Sequence, residues 1–137
     1  MSATPDLLEG IWLPRAADVS GKVLELAKLR VARLVIGAHV YRILDHADHV
    51  VDSGEWTRNR SSTPDGLDLY GVAGPFKGRR IEALIALSGD SLSICYDMDG
   101  GARPLTMVPA PEQLLLTITY AREPVFSGAD GAIAAQA

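Results

Sequence analysis

The chain has 137 residues, 47 % of them hydrophobic and 22 % charged, with 13 Gly, 8 Pro and one Cys. That is the composition and size of one globular domain, able to bury roughly two-thirds of its unfolded surface without disulfides or structural metal. A net charge of −4 with dispersed basic residues leaves no electrostatic footprint for a nucleic-acid backbone or an anionic membrane. No apolar run approaches the ~18 residues of a spanning helix, so the expected setting is cytoplasmic, without nucleic acid or membrane as partner.

Short apolar or alternating runs recur along the chain, separated by turn residues, as all-β sandwiches and barrels require. Strands are expected over residues 8–13, 29–36, 39–45, 50–58, 67–72, 79–87, 91–98, 103–108 and 114–122. Between them stand turn signals such as Ser20-Gly21, Gly37-Ala38, Pro64-Asp65-Gly66, Gly74-Pro75, Gly89-Asp90 and Asp99-Gly100-Gly101. Residues 24–28 have the pattern of a single helical turn before the second strand. In residues 91–98, Leu92, Ile94, Tyr96 and Met98 alternate with Ser91, Ser93, Cys95 and Asp97. Leu114, Leu116, Ile118 and Tyr120 likewise alternate with Thr117 and Thr119. A two-residue period puts each set on its own face, and a sheet with one apolar face must close on itself or stack on another. The expected organisation is one barrel over residues 1–123 and a flexible Gly/Ala-rich tail over 124–137.

Several clusters carry potential chemistry. Asp45-His46-Ala47-Asp48-His49, with Asp52 and Glu55 beyond it, contains metal-ligating side chains, but in a hairpin loop it reads as a solvated turn. His39 has no Ser or Cys at a spacing that would make a nucleophile pair, and Cys95 on a strand reads as a small packed side chain. Gly74-Pro75-Phe76-Lys77-Gly78-Arg79-Arg80 lacks the following helix that a phosphate loop needs, so it reads as a basic turn. No catalytic residue, metal or cofactor is expected. Closing eight or more strands leaves an interior that is filled by side chains or holds one small ligand. Tyr41, Trp56, Tyr96, Tyr120 and Met98 are the candidate lining of such a cup, and Asp68 or Arg103 its polar anchor. The alternative is a filled core in which Arg103 bonds a carboxylate such as Asp68.

Six segments occur in a telling order: Leu8-Glu9-Gly10-Ile11-Trp12, Gly37-Ala38-His39, Leu67-Asp68-Leu69, Gly74-Pro75-Phe76-Lys77-Gly78, Gly89 to Cys95, and Arg103-Pro104. Together they resemble a bacterial lipocalin-like (calycin-type) domain family expanded in Planctomycetes, over about residues 7–122. The resemblance implies a small antiparallel up-and-down β-barrel of about 8–10 strands. It also implies that Trp12 plugs the closed end, with Arg122 of the last strand over its ring. The leading functional expectation is non-enzymatic binding of a small hydrophobic or amphipathic molecule, or a peptide segment, inside the barrel. A biosynthetic-pathway auxiliary or cyclase-like enzyme that orients a flexible substrate in the barrel, and a packed barrel acting as an interaction module or homodimer, are the alternatives.

Overall fold

A computed structural model describes residues 7–60, 64–100, 102–107 and 114–124. It contains nine strands: β1 (Gly10–Val19), β2 (Lys22–Val23), β3 (Arg33–Ile36), β4 (Val40–Leu44), β5 (Val50–Asn59), β6 (Gly66–Ala73), β7 (Arg80–Ser88), β8 (Ser91–Asp97) and β9 (Leu115–Arg122). A single 3-10 turn, Leu26–Lys28, falls within the helical turn expected from the sequence. All pairings between the strands are antiparallel; β3 to β9 neighbour one another in sequence order, and β1 pairs with both β3 and β9. The result is a closed eight-stranded up-and-down barrel of lipocalin-like form, with β2 as a short flap on β1. Closure leaves no long free edge, which removes the usual route to edge-to-edge aggregation. Among the described residues no helix is long and apolar enough to cross a membrane.

Register shifts interrupt the wall at three places: between Pro14 and Ala16, between Ile43 and Leu44, and between Ser53 and Gly54. In β1 the register with β9 slips between Pro14 and Ala16, and a bulge of this kind re-aims the side chains beyond it. Trp12 and, past the bulge, Ala17 and Val19 therefore all join the same core. Pro14 sits at this bulge, beyond the last β1–β3 pair at Trp12 and Leu34, where its missing N–H interrupts no β3 ladder. The second strand is shorter than expected: β3 begins at Arg33, and residue 32 is tied only by its N–H to the Leu44 carbonyl (2.7 Å). Leu29 and Val31, expected within that strand, instead pack against the core from the loop before it.

The two barrel ends differ. One carries the chain entry, the turns after β3 and β7 and the ends of β5 and β6 that face each other; the other carries residues 20–32, 45–49 and 74–79 and the ends of β8 and β9. The first end is sealed. Trp12 is fully buried and its Nε1–H donates to the Leu8 carbonyl at 2.8 Å. The Arg122 guanidinium stacks 4.2 Å from the ring centroid, close enough for a cation–π attraction of about 1 kcal/mol. Its remaining donors bond the Glu9 carbonyl (2.9 Å), the Leu7 carbonyl (2.7 Å) and Asp90 in the β7–β8 turn (3.1 Å). One side chain thus joins the entering chain, the plug and the last strand, the contact that the G-x-W and Arg122 frame implied.

Residues 103–107 do not form the strand expected over 103–108, whose last residue lies outside the described ones. The described part, 102–107, is irregular, and Arg103 lies across the outside of β6 and β7 instead. Its N–H and guanidinium bond Glu82 (3.2 Å), the Ala83 carbonyl (2.9 Å) and Asp68 (2.7 Å). Gly66 leaves the space for it, since a Cβ there would stand 2.5 Å from the Arg103 Nη1. Leu84, Cys95 and Leu115 share the outward parity of this wall yet are buried, as is Pro104 of the connection beside them. The barrel therefore has a small second apolar layer outside its wall. Of the expected tail over 124–137, all but Pro124 lies outside the described residues.

Candidate functional site: the barrel interior

The alternation in β8 and β9 places Ile94, Tyr96, Ile118 and Tyr120 inside the barrel, as the sequence pattern demands. Opposite them stand Ile43 and Tyr41 of β4, Trp56 of β5, and Leu67 and Leu69 of β6. Between these walls lies a cavity of about 60 Å³, room for about four water-sized groups. Measured out to the mouth and including space open to solvent, the empty volume is about 570 Å³. Every side chain that lines it is aliphatic or aromatic, with three phenol hydroxyls and the Trp56 indole as the polar exceptions. The indole is already engaged, donating from Nε1 to the Gly37 carbonyl at 3.0 Å.

The mouth is shaped by the turn between β6 and β7. Gly71 receives this turn, because a Cβ there would meet the Phe76 carbonyl, and backbone bonds from Lys77 to Gly74 and from Arg79 to Phe76 hold it. Phe76 then stands edge-to-face on Tyr96, the ring centroids 6.2 Å apart and the planes at 89°, a favoured aromatic geometry. Val31, from the connection before β3, completes the rim. The basic segment around Lys77 is therefore a turn whose apolar member faces the cavity.

Of the six candidate ligand-binding residues, the structure brings Tyr41, Trp56, Tyr96 and Tyr120 together around the cavity. It does not bring Asp68 and Arg103 there. Both belong to the outer wall, paired with each other at 2.7 Å, because Asp68 has the opposite parity to inward-facing Leu67 and Leu69. The Arg103–Asp68 pair considered for a filled core thus exists, outside the barrel. Met98 lies past the end of β8 and is 45 % exposed, away from the cavity.

A polar interior residue that the sequence pattern had grouped with the hairpin loop is Asp52. It pairs across with Ile43, and cross-strand partners share a face, so its side chain points inward, on the face shared by Gly54 and the Trp56 side chain. Only 5 % of it is exposed. Gly74 closes over it: a Cβ there would stand 2.9 Å from Asp52 Oδ1. Neither Asp52 Oδ1 nor the Tyr41 hydroxyl finds a hydrogen-bond partner in the protein. Such orphaned buried groups are uncommon, costing on the order of 1–3 kcal/mol each. Burial pushes the Asp52 carboxyl above the usual carboxylate range, with the Ser53 backbone pulling the other way. Burial, and then the Asp52 charge, push the Tyr96 phenol up to about 12 and the Tyr41 phenol further above its ordinary value. Tyr120 is raised by burial and by Tyr96. Room for the Tyr41 ring comes from Gly54, whose Cβ would stand 2.9 Å from Tyr41 Cε1.

The remaining clusters stay outside this site. In the β4–β5 hairpin, Asp45 accepts from the N–H groups of Ala47 and His49 (2.8 and 2.9 Å), which hold its carboxyl below the usual range. The loop is thus an Asx-type turn, and among the described residues no group of His, Cys, Asp and Glu is arranged to hold a metal. Cys95 is buried on the outer wall, and burial raises its thiol pKa while the Thr117 hydroxyl opposes the rise. That is the opposite of what an activated nucleophile needs. His39 is exposed at the β3–β4 turn. Compared with known proteins, the chain matches no family model, no curated protein and no solved structure.

Proposed function

We propose that the protein is a binding module that takes a small hydrophobic or amphipathic molecule into the barrel interior, as the lipocalin-like family suggested by its ordered motifs would. The observation that carries this is the apolar, aromatic-lined cavity with its opening under Phe76 and Val31. Side chains fill the sealed end around Trp12 to the last contact, yet the same barrel leaves space further up between Ile94, Ile118, Leu69 and Tyr41. A concave apolar site with few polar groups is the usual form of a small-molecule site. The function inferred is binding rather than turnover. Native mass spectrometry of protein purified gently from its own cells, compared with the denatured mass, tests it. A retained small molecule is expected; bare protein that also fails to take up hexanol would overturn the proposal.

A further inference from the structure

The cavity lining is apolar apart from its phenol hydroxyls and one indole, and on this side of the barrel two buried polar groups lack partners. The Tyr41 hydroxyl, on the cavity wall, and Asp52 Oδ1, facing inward two residues before Gly54, are both satisfied by nothing in the protein. Tyr41 is 2 % and Asp52 5 % exposed, so bulk water does not satisfy them either. Asp52 lies just behind the lining, paired across with the cavity residue Ile43 and diagonal to Tyr41, and no Lys or Arg is among the side chains that line the cavity. Of the cations in and after the β6–β7 turn, Arg79 lies over the Phe76 ring and Arg80 is engaged with Asp68, Glu82 and Tyr70, while Lys77 is not among the side chains lining the cavity.

We propose that the interior ligand is an apolar molecule bearing a protonated amine, its head placed between the Asp52 carboxylate and the Tyr41 hydroxyl and its body among Ile43, Leu69, Ile94 and Ile118. This rests on the interior being a ligand site at all. The chemistry follows from what each group lacks. A carboxylate accepts only, a phenol both donates and accepts, and an ammonium carries three donors and no acceptor. An ammonium therefore satisfies the orphan oxygen of Asp52 and accepts nothing that would compete, while its charge offsets the buried negative charge. An anionic head of the fatty-acid kind meets the reverse situation. It would place a second negative charge beside Asp52 with no cation lining the cavity, and like charges brought together in a low-dielectric site repel strongly. Tyr96, also on the cavity wall, adds an aromatic ring of the kind that favours a cation. The hydrocarbon body is limited to a short chain by the enclosed volume of about 60 Å³.

The test uses the whole protein and three probes of one length: hexylamine, hexanol and hexanoate, titrated at pH 7 by calorimetry and by tryptophan emission, to which Trp56 in the cavity wall responds. Hexylamine is expected to bind at least about tenfold more tightly than hexanoate, with hexanol between them. In the Asp52→Asn variant hexylamine should fall to the level of hexanol while hexanol binding is unchanged, and Tyr41→Phe should weaken the amine more than the alcohol. Three probes of equal affinity, or an amine preference untouched by Asp52→Asn, would overturn the amine head while leaving the cup intact. Failure of all three to bind folded wild-type protein would overturn both. If Asp52→Asn does not fold, the amine-to-carboxylate ratio of the wild type and the Tyr41→Phe variant still decide.

Discussion

Single residues decide the two ends of this barrel in opposite ways. Trp12 is fully buried, holds Leu8 through its indole N–H and carries the Arg122 guanidinium on its face. Trp12→Ala should therefore cost about 3–5 kcal/mol, read as a lower midpoint in chemical denaturation. Asp52 has the contrary character, a buried carboxyl raised by desolvation from its ordinary value of 3.8. A folded-state pKa above the unfolded one means that the folded protein binds the extra proton. The stabilisation this gives is complete below the unfolded pKa of 3.8 and is lost as pH rises through the folded value. Asp52→Asn removes that dependence, so its Tm relative to wild type should be more favourable at pH 7 than at pH 3.5. A difference in Tm that stays constant with pH would show that Asp52 is solvated. Asp52 could have been found in the sequence, because Asp52, Gly54 and Trp56 follow a strict two-residue period. Its proximity to His46 and His49 drew it instead into the hairpin cluster. Tyr41, Trp56, Tyr96 and Tyr120 were legible because each stands in a run whose other members are plainly apolar on the same face.

At the scale of elements, strands with one buried face were readable and segments held by distant partners were not. The turn between β7 and β8 shows the first case: Gly89, at φ 58°, takes the positive-φ position a tight hairpin reserves for glycine. β8 and β9 then alternate cleanly on either side of the barrel wall. The connection from 98 to 114 shows the second. Arg103-Pro104-Leu105-Thr106-Met107 has the alternation of a strand, but Arg103 bonds Asp68 across 35 residues and rests on Gly66, and no local pattern encodes such a contact. Because Asp68 and Arg103 expose only 9 % and 16 % of their side chains, removing one partner strands the other in a poorly solvated place. Arg103→Ala should destabilise the protein by about 2–3 kcal/mol in a denaturant titration. Adding Asp68→Asn to that variant should return part of the loss, since the uncompensated charge is then gone. A lysine at 103 should not substitute fully, because one ammonium cannot reproduce the guanidinium fork to Asp68 and the Ala83 carbonyl.

For the whole molecule, closure was legible and the filling of the interior was not. Nine short apolar segments with turns between them require a barrel or sandwich, and Gly10-Ile11-Trp12 at one terminus with Arg122 at the other indicated where the chain ends meet. Whether the enclosed space is full depends on the sum of many side-chain volumes and on small residues such as Gly54 and Ala83 facing inward, which no single pattern in the sequence reports. One end of the barrel is closed over by Trp12, and the cavity further along is bordered by the β6–β7 turn and the loop before β3. A solid end supports the fold while the open end admits a guest, and the same eight strands supply both.

The most direct test is an NMR titration of isoleucine-methyl-labelled protein with hexanol. Shifts should concentrate at Ile36, Ile43, Ile94 and Ile118, which line the cavity, with Ile11 of the outward-facing β1 positions unmoved. Absence of change at those four residues, or changes confined to Ile11 and the outer surface, would show that the interior takes no guest.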